Sequence, residues 1–108
     1  MAGIFTESVC SLLNTVPPGF VVTYGGLAAA AGFPRAARQV VRILHTQSRM
    51  RNLPWHRVVA AGGRIALKDP MAADLQKELL CSEGVQMIND GWVDMKKHYW
   101  DFSGTVPD

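Results

Sequence analysis

Between Ser8 and Lys68 the chain has no aspartate or glutamate. The same interval holds eight basic residues: Arg35, Arg38, Arg42, Arg49, Arg51, Arg57, Arg64 and Lys68. It therefore carries a formal charge of +8, while the rest, with nine acids and three lysines, carries −6. A net charge of +2 conceals this division. Such asymmetry points to a polyanionic partner, although a solvated basic face without a partner would look the same. Cysteine is nearly missing. Cys10 and Cys81 lack metal-ligand spacing, so no metal is expected, and two thiols suit a reducing cytoplasm. The sequence leaves open one disulfide between them. No apolar run approaches the roughly 18 residues of a membrane span, and no basic segment precedes an apolar one at the N-terminus. Neither a span nor a signal peptide is expected. Internal repeats and low-complexity linkers are absent too.

What remains is enough for one domain, 1–108. The 108 residues are 48% hydrophobic and 19% charged, which favours a packed core over disorder. Phe5, Val9, Leu12, Leu13 and Val16 recur at helical spacing ahead of Pro17-Pro18-Gly19. Thr23 is placed to cap a helix that runs through Leu27 to Gly32, and Pro34 suits the first turn of another reaching about His45. On that second helix Ala37, Val40, Val41 and Leu44 make an apolar stripe, opposite Arg35, Arg38, Gln39 and Arg42. Two helices joined at Gly32-Phe33 read as a helix-turn-helix. Cations in a first turn oppose the helix dipole, so arginine there makes sense if phosphate or stacked bases are the neighbour.

Gln47 to Leu53 reads as a polar basic loop. Val58-Val59 and Ile65 to Leu67, joined through Ala61-Gly62-Gly63-Arg64, read as a hairpin, a candidate wing. Asp69-Pro70 opens a helix with Leu75, Leu79 and Leu80 facing inward, ending near Gly84. Val85–Ile88 and Trp92–Met95 suggest a second hairpin turning at Asp90-Gly91. Tyr99, Trp100 and Phe102 are expected to pack back on the core, and Trp92 is assigned to packing as well. The fold class is α+β, mainly helical.

Pro54-Trp55-His56-Arg57-Val58 resembles the active-site motif Pro-Cys-His-Arg-Val of the O6-alkylguanine-DNA alkyltransferases. Val22-Thr23-Tyr24-Gly25, Ala36-Ala37-Arg38 and Glu83-Gly84 match further segments in the family's order. With tryptophan at the cysteine position, the chain is identified as a member of the alkyltransferase-like subfamily. The resemblance implies a winged helix-turn-helix like the C-terminal DNA-binding domain of those enzymes.

That resemblance also implies roles. Alkyl transfer needs a thiolate beside the extruded base, activated by histidine, and an indole offers no such nucleophile. Cys10 and Cys81 have no adjacent His or Arg, so the chain is expected not to be an enzyme and to need no cofactor. His56 and Glu83 match the activating residues but have no thiol to serve. His56 is expected to be structural, with Glu83 as partner to it or to Arg57. Arg38 matches the finger that enters the base stack, flanked by Ala36 and Ala37, which are small enough for close approach to the minor groove. Tyr24 matches the tyrosine that turns the nucleotide outward, although it could simply anchor a helix start. Trp55, Tyr24, Val58 and Lys68 are assigned to a pocket for the modified base, and Arg35, Arg42 and Arg64 to phosphates. Val41, Arg42, His45 and Gln47 depart from the family's usual residues.

The implied function is non-catalytic recognition of double-stranded DNA containing O6-alkylguanine, by minor-groove contact and nucleotide flipping. The lesion would pass to nucleotide excision repair proteins. The protein would act as a monomer in a bacterial cytoplasm or nucleoid, or in a nucleus, without membrane contact. Two other readings stay open on the residues: a winged helix-turn-helix transcription regulator, and an active alkyltransferase using another cysteine.

Overall fold

The computed structural model describes residues 2–102. Met1 and residues 103–108, Asp108 among them, lie outside that range. In order come α1 (Ala2–Asn14), β1 (Val22–Thr23), α2 (Tyr24–Ala30), α3 (Ala37–Arg51), β2 (Val58–Val59), α4 (Pro70–Ser82), β3 (Met87–Asn89), β4 (Trp92–Val93) and α5 (Met95–His98). The architecture is mainly helical α+β with two short sheets, as the sequence implies.

The helix limits follow local chemistry. Thr23 caps α2 by accepting from the Gly26 N–H at 2.8 Å. The helix closes on Gly32, whose φ of +94° suits glycine, with Gly32 N–H bonding Ala29 and Phe33 N–H bonding Ala28. Helix α3 begins three residues later than Pro34 and runs six beyond His45. Pro34 and Arg35 therefore stand in the turn, not on the helix, and the helix-turn-helix connection is longer than expected. The polarity of Gln47 to Leu53 suggests a loop, but residues 47–51 are helical, since no proline or glycine stops propagation there. The helix ends where Asn52 adopts a left-handed conformation, two residues before Pro54. Its buried face is Val40 and Ile43, while Val41 of the expected stripe is exposed.

The strands correct another expectation. Val58-Val59 makes no hairpin with Ile65 to Leu67; it pairs in parallel with β1, Val22 opposite Val58 and Thr23 opposite Val59. Residues 61–63 coil tightly instead, and Arg64 bridges to Trp92. Alternation and glycines suggest a hairpin, but two fully buried valines gain more by filling the centre. The second hairpin does form, between Met87–Asn89 and Trp92–Val93.

The core has two parts. Val9, Leu13, Val16, Val22, Leu27, Val40 and Val58 join α1, α2 and α3 around the parallel strands, and Trp100 and Phe102 pack against them. Val21, Val59, Leu80, Val85 and Val93 form the second cluster under α4. The C-terminal segment is held there by Val21 N–H to His98 O and Trp100 N–H to Val21 O, both 2.8 Å. Leu75 points outward, and its expected inward place is taken by Gln76. Trp92 is 40% exposed and lies against Gly62, so it is not a core residue. Both cysteines are free thiols, Cys10 buried and Cys81 exposed.

Candidate nucleic-acid interface

The parallel strand pair brings two distant parts of the chain together. Tyr24 follows β1 directly, and Trp55 opens the short helical turn that leads into β2. With Val22 registered on Val58, the two aromatic residues reach the wall of one cleft of about 510 Å³. One face of α3 supplies much of the remaining wall: Val41, Leu44, His45, Ser48 and Arg49, followed by Asn52 at the helix end. These positions share a face through the 3.6-residue repeat. Leu53, Leu67 and Ala72 complete it. Burial pushes the Tyr24 hydroxyl pKa up, so the phenol stays protonated and able to donate.

Of the residues assigned to the pocket from sequence, Tyr24 and Trp55 line it. Val58 does not: it is fully buried in the core and acts as a strand residue. Lys68 is exposed beside Leu67 and is not part of the wall. Arg35, Arg38, Arg42 and Arg64 are all exposed, while Ala36 and Ala37 are half-buried at the start of α3. No side chain caps that start, where the leading N–H groups of a helix have no intrahelical acceptors.

A polar cluster braces the segment that carries Trp55. Arg57 donates through Nε and Nη2 to the Glu83 carboxylate, and through Nη1 to the Val16 carbonyl at 2.9 Å. His56 Nε2 lies 2.8 Å from Glu83 Oε2. Burial works to raise the Glu83 pKa, but hydrogen bonds from Arg57 and His56, with their charge, more than reverse this and hold it down to about 2. The carboxylate is therefore ionised at neutral pH and can only accept, so His56 carries its proton on Nε2. Glu83 partners both residues named for it, because Gly84 closes α4 with φ +85° and turns the chain there. Gln76, buried on α4, donates to the carbonyls of His56 (3.0 Å) and Val58 (2.8 Å).

Sequence reading missed Gln76 and the wall formed by the second half of α3. For Gln76 the signal was its spacing four residues before Leu80. For the α3 wall it was the lack of any helix breaker before Asn52.

An arginine-bearing helix thus stands beside a cleft walled by two aromatic side chains. The profile for the DNA-binding domain of 6-O-methylguanine DNA methyltransferase matches residues 4–85, and the chain belongs to that family. It is 40% identical over 100 residues to the DNA base-flipping protein of Escherichia coli K12, covering 91% of this chain and 75% of that one. It is 37% identical over 87 residues to alkyltransferase-like protein 1 of Schizosaccharomyces pombe, covering 77% and 78%. The fold superposes on S. pombe Atl1 in complex with damaged DNA containing O6-carboxymethylguanine with a TM-score of 0.79 and 30% identity, over 89% of this chain and 94% of that one. Within the family, the chain is thus similar to the alkyltransferase-like and base-flipping relatives.

Proposed function

We propose that this protein recognises O6-alkylguanine in duplex DNA, draws the modified nucleotide into the cleft between Tyr24 and Trp55, and leaves the alkyl group in place. The observation that carries the reading is Trp55 on the cleft wall, where the motif of the family's enzymes holds its nucleophile. An indole provides a flat apolar surface for an alkylated base but no atom to accept the alkyl group. The His56–Glu83 pair behind it is intact, and in this chain it serves to hold the segment. Neither cysteine substitutes. Cys10 is buried, and that burial pushes its thiol pKa up, away from the reactive thiolate. Cys81 is exposed on α4 and is not part of the cleft wall.

In this reading Arg38 fills the gap in the base stack, and Tyr24 turns the nucleotide outward. Ala36 and Ala37 allow close approach to the minor groove, and Arg35, Arg42 and Arg64 contact phosphates. Lys68, exposed next to the wall residue Leu67, is assigned to the modified base. The protein acts as a single-domain monomer and marks the lesion for nucleotide excision repair. Relatives described as base-flipping and as bound to damaged DNA support the reading.

The test is a titration against two duplexes identical except for one O6-methylguanine, followed by mass spectrometry of the protein. Tighter binding to the lesion with no mass gain is the expected result. A gain of one methyl group would make the protein a repair enzyme, and equal affinity would remove lesion recognition.

A further inference from the structure

We infer that Trp92 is a positioning residue for DNA binding: it fixes the turn 60–64 so that Arg64 meets a backbone phosphate of the duplex. The inference rests on the proposed function and extends its DNA surface to the acidic end of the chain.

Three observations lead to it. The first is pairing. Arg64 and Trp92 form an antiparallel bridge, and beside it the Ile65 N–H bonds the Gly91 carbonyl at 2.8 Å. That hydrogen bond makes Arg64 and Trp92 a non-hydrogen-bonded pair, in which opposed side chains share a face and stand closest. The second is packing. A Cβ placed on Gly62 would lie 3.1 Å from the Trp92 ring, and one on Gly63 would lie 2.7 Å from the Val93 carbonyl oxygen. Both glycines of the turn are thus covered by β4. The turn also closes on itself, with Gly63 N–H to Ala60 O at 3.0 Å and Ala60 N–H to Arg64 O at 2.9 Å. The third is charge. Arg64 is exposed, belongs to the stretch without acids, and forms no ion pair among the described residues. Of the acids flanking Trp92, Asp90 is paired with Lys77 at 3.0 Å and Asp94 is half-buried.

The place on the chain agrees. Leu67 lines the cleft, and the three residues from Arg64 to Leu67 span at most about 11 Å. Phosphates of one strand advance by about 3.4 Å per step along the duplex. A duplex with one nucleotide in the cleft therefore carries phosphates within about three steps of Arg64. An unsupported turn would let Arg64 sample many directions. An indole laid across Gly62 removes that freedom before binding, so less is lost on contact. A tryptophan beside an arginine also suits a protein partner, and that is the competing account of its 40% exposure.

The experiment measures affinity against salt concentration for an undamaged duplex and its O6-methylguanine counterpart. The proteins are wild type, Arg64→Gln, Trp92→Ala, Trp92→Phe and the double variant of Arg64→Gln with Trp92→Ala. Each phosphate contact contributes about 0.9 to the slope of log affinity against log salt. The slope should fall by about that amount in Arg64→Gln and by as much in Trp92→Ala, with no further fall in the double variant. Trp92→Phe, which keeps a ring over Gly62, should retain the wild-type slope, and lesion preference should be the same in all five. A wild-type slope in Trp92→Ala, whatever its melting temperature, would overturn the positioning role and assign the indole to a protein contact. Additive losses in the double variant would overturn it too, by making Trp92 a separate contact. An unchanged slope in Arg64→Gln would remove the phosphate contact itself. The undamaged duplex carries the same phosphates, so its slopes decide the inference even where equal affinity for the two duplexes overturns lesion recognition.

Discussion

Arg57 Nη2 donates to Glu83 Oε2 at 2.7 Å, and its Nε lies 3.0 and 3.2 Å from the two carboxylate oxygens, joining the cleft segment to the end of α4. The two side chains are only 14% and 15% exposed. Removing one partner of such a pair leaves the other charge poorly solvated. Glu83→Gln should therefore destabilise the fold by about 2–4 kcal/mol, read as a lower denaturant midpoint. A loss below about 0.5 kcal/mol, the level of a surface pair, would mean that water replaces the carboxylate.

Acid should undo the same interaction. The Glu83 carboxyl titrates near 2 in the folded protein and near its ordinary 4.5 when unfolded. Its pKa is lowered by folding, so its contribution is complete above about pH 4.5 and fades as pH falls from there toward 2. The contribution is on the order of 2–3 kcal/mol. Urea unfolding of the wild type and Glu83→Gln at pH 6, 4 and 3 should show their difference shrinking with acid. A constant difference would assign the stability to shape and not to charge.

Arg38 stands exposed in the first turn of α3. Arg38→Ala should leave the melting temperature within about 1 °C of wild type, since surface changes of this kind cost little. Affinity for O6-methylguanine DNA should fall at least about tenfold. Fluorescence anisotropy checks the second point, and an unchanged dissociation constant would rule out the finger role.

Trp55 meets His56 edge-on, ring centroids 6.2 Å apart, and faces the cleft. Trp55→Ala takes away the flat wall but leaves every exposed arginine in place. Binding to undamaged duplex should therefore persist, while the preference for O6-methylguanine drops by roughly tenfold. Competition titrations read the ratio directly, and a preserved preference would place recognition elsewhere.

Gln76→Ala should cost about 2–3 kcal/mol, because it strips the donor from two carbonyls in a buried setting. It should also speed amide exchange across residues 55–59. Exchange unchanged there, together with a full loss of stability, would show that Gln76 supports the core without bracing the cleft segment.

Much of this was legible in the chain itself. Thr23 announces a cap, Gly32 and Gly84 announce helix ends, and Asp69-Pro70 announces a start, because each residue acts on backbone only a few positions away. Trp55 within its motif, and the run without acids from Ser8 to Lys68, likewise need no neighbours in space to be read. Tertiary structure decided what depends on distant partners. Val58 pairs with Val22 and not within a hairpin, so it belongs to the core and not to the cleft. Gln76 takes the inward position expected of Leu75 because two carbonyls from another segment need its amide. Helix α3 runs on through a polar stretch that composition reads as loop, and that extension brings Ser48 and Arg49 to the cleft wall. Local signals specify where elements begin and end; which faces are buried depends on the apolar area and hydrogen-bond partners that only the assembled chain presents.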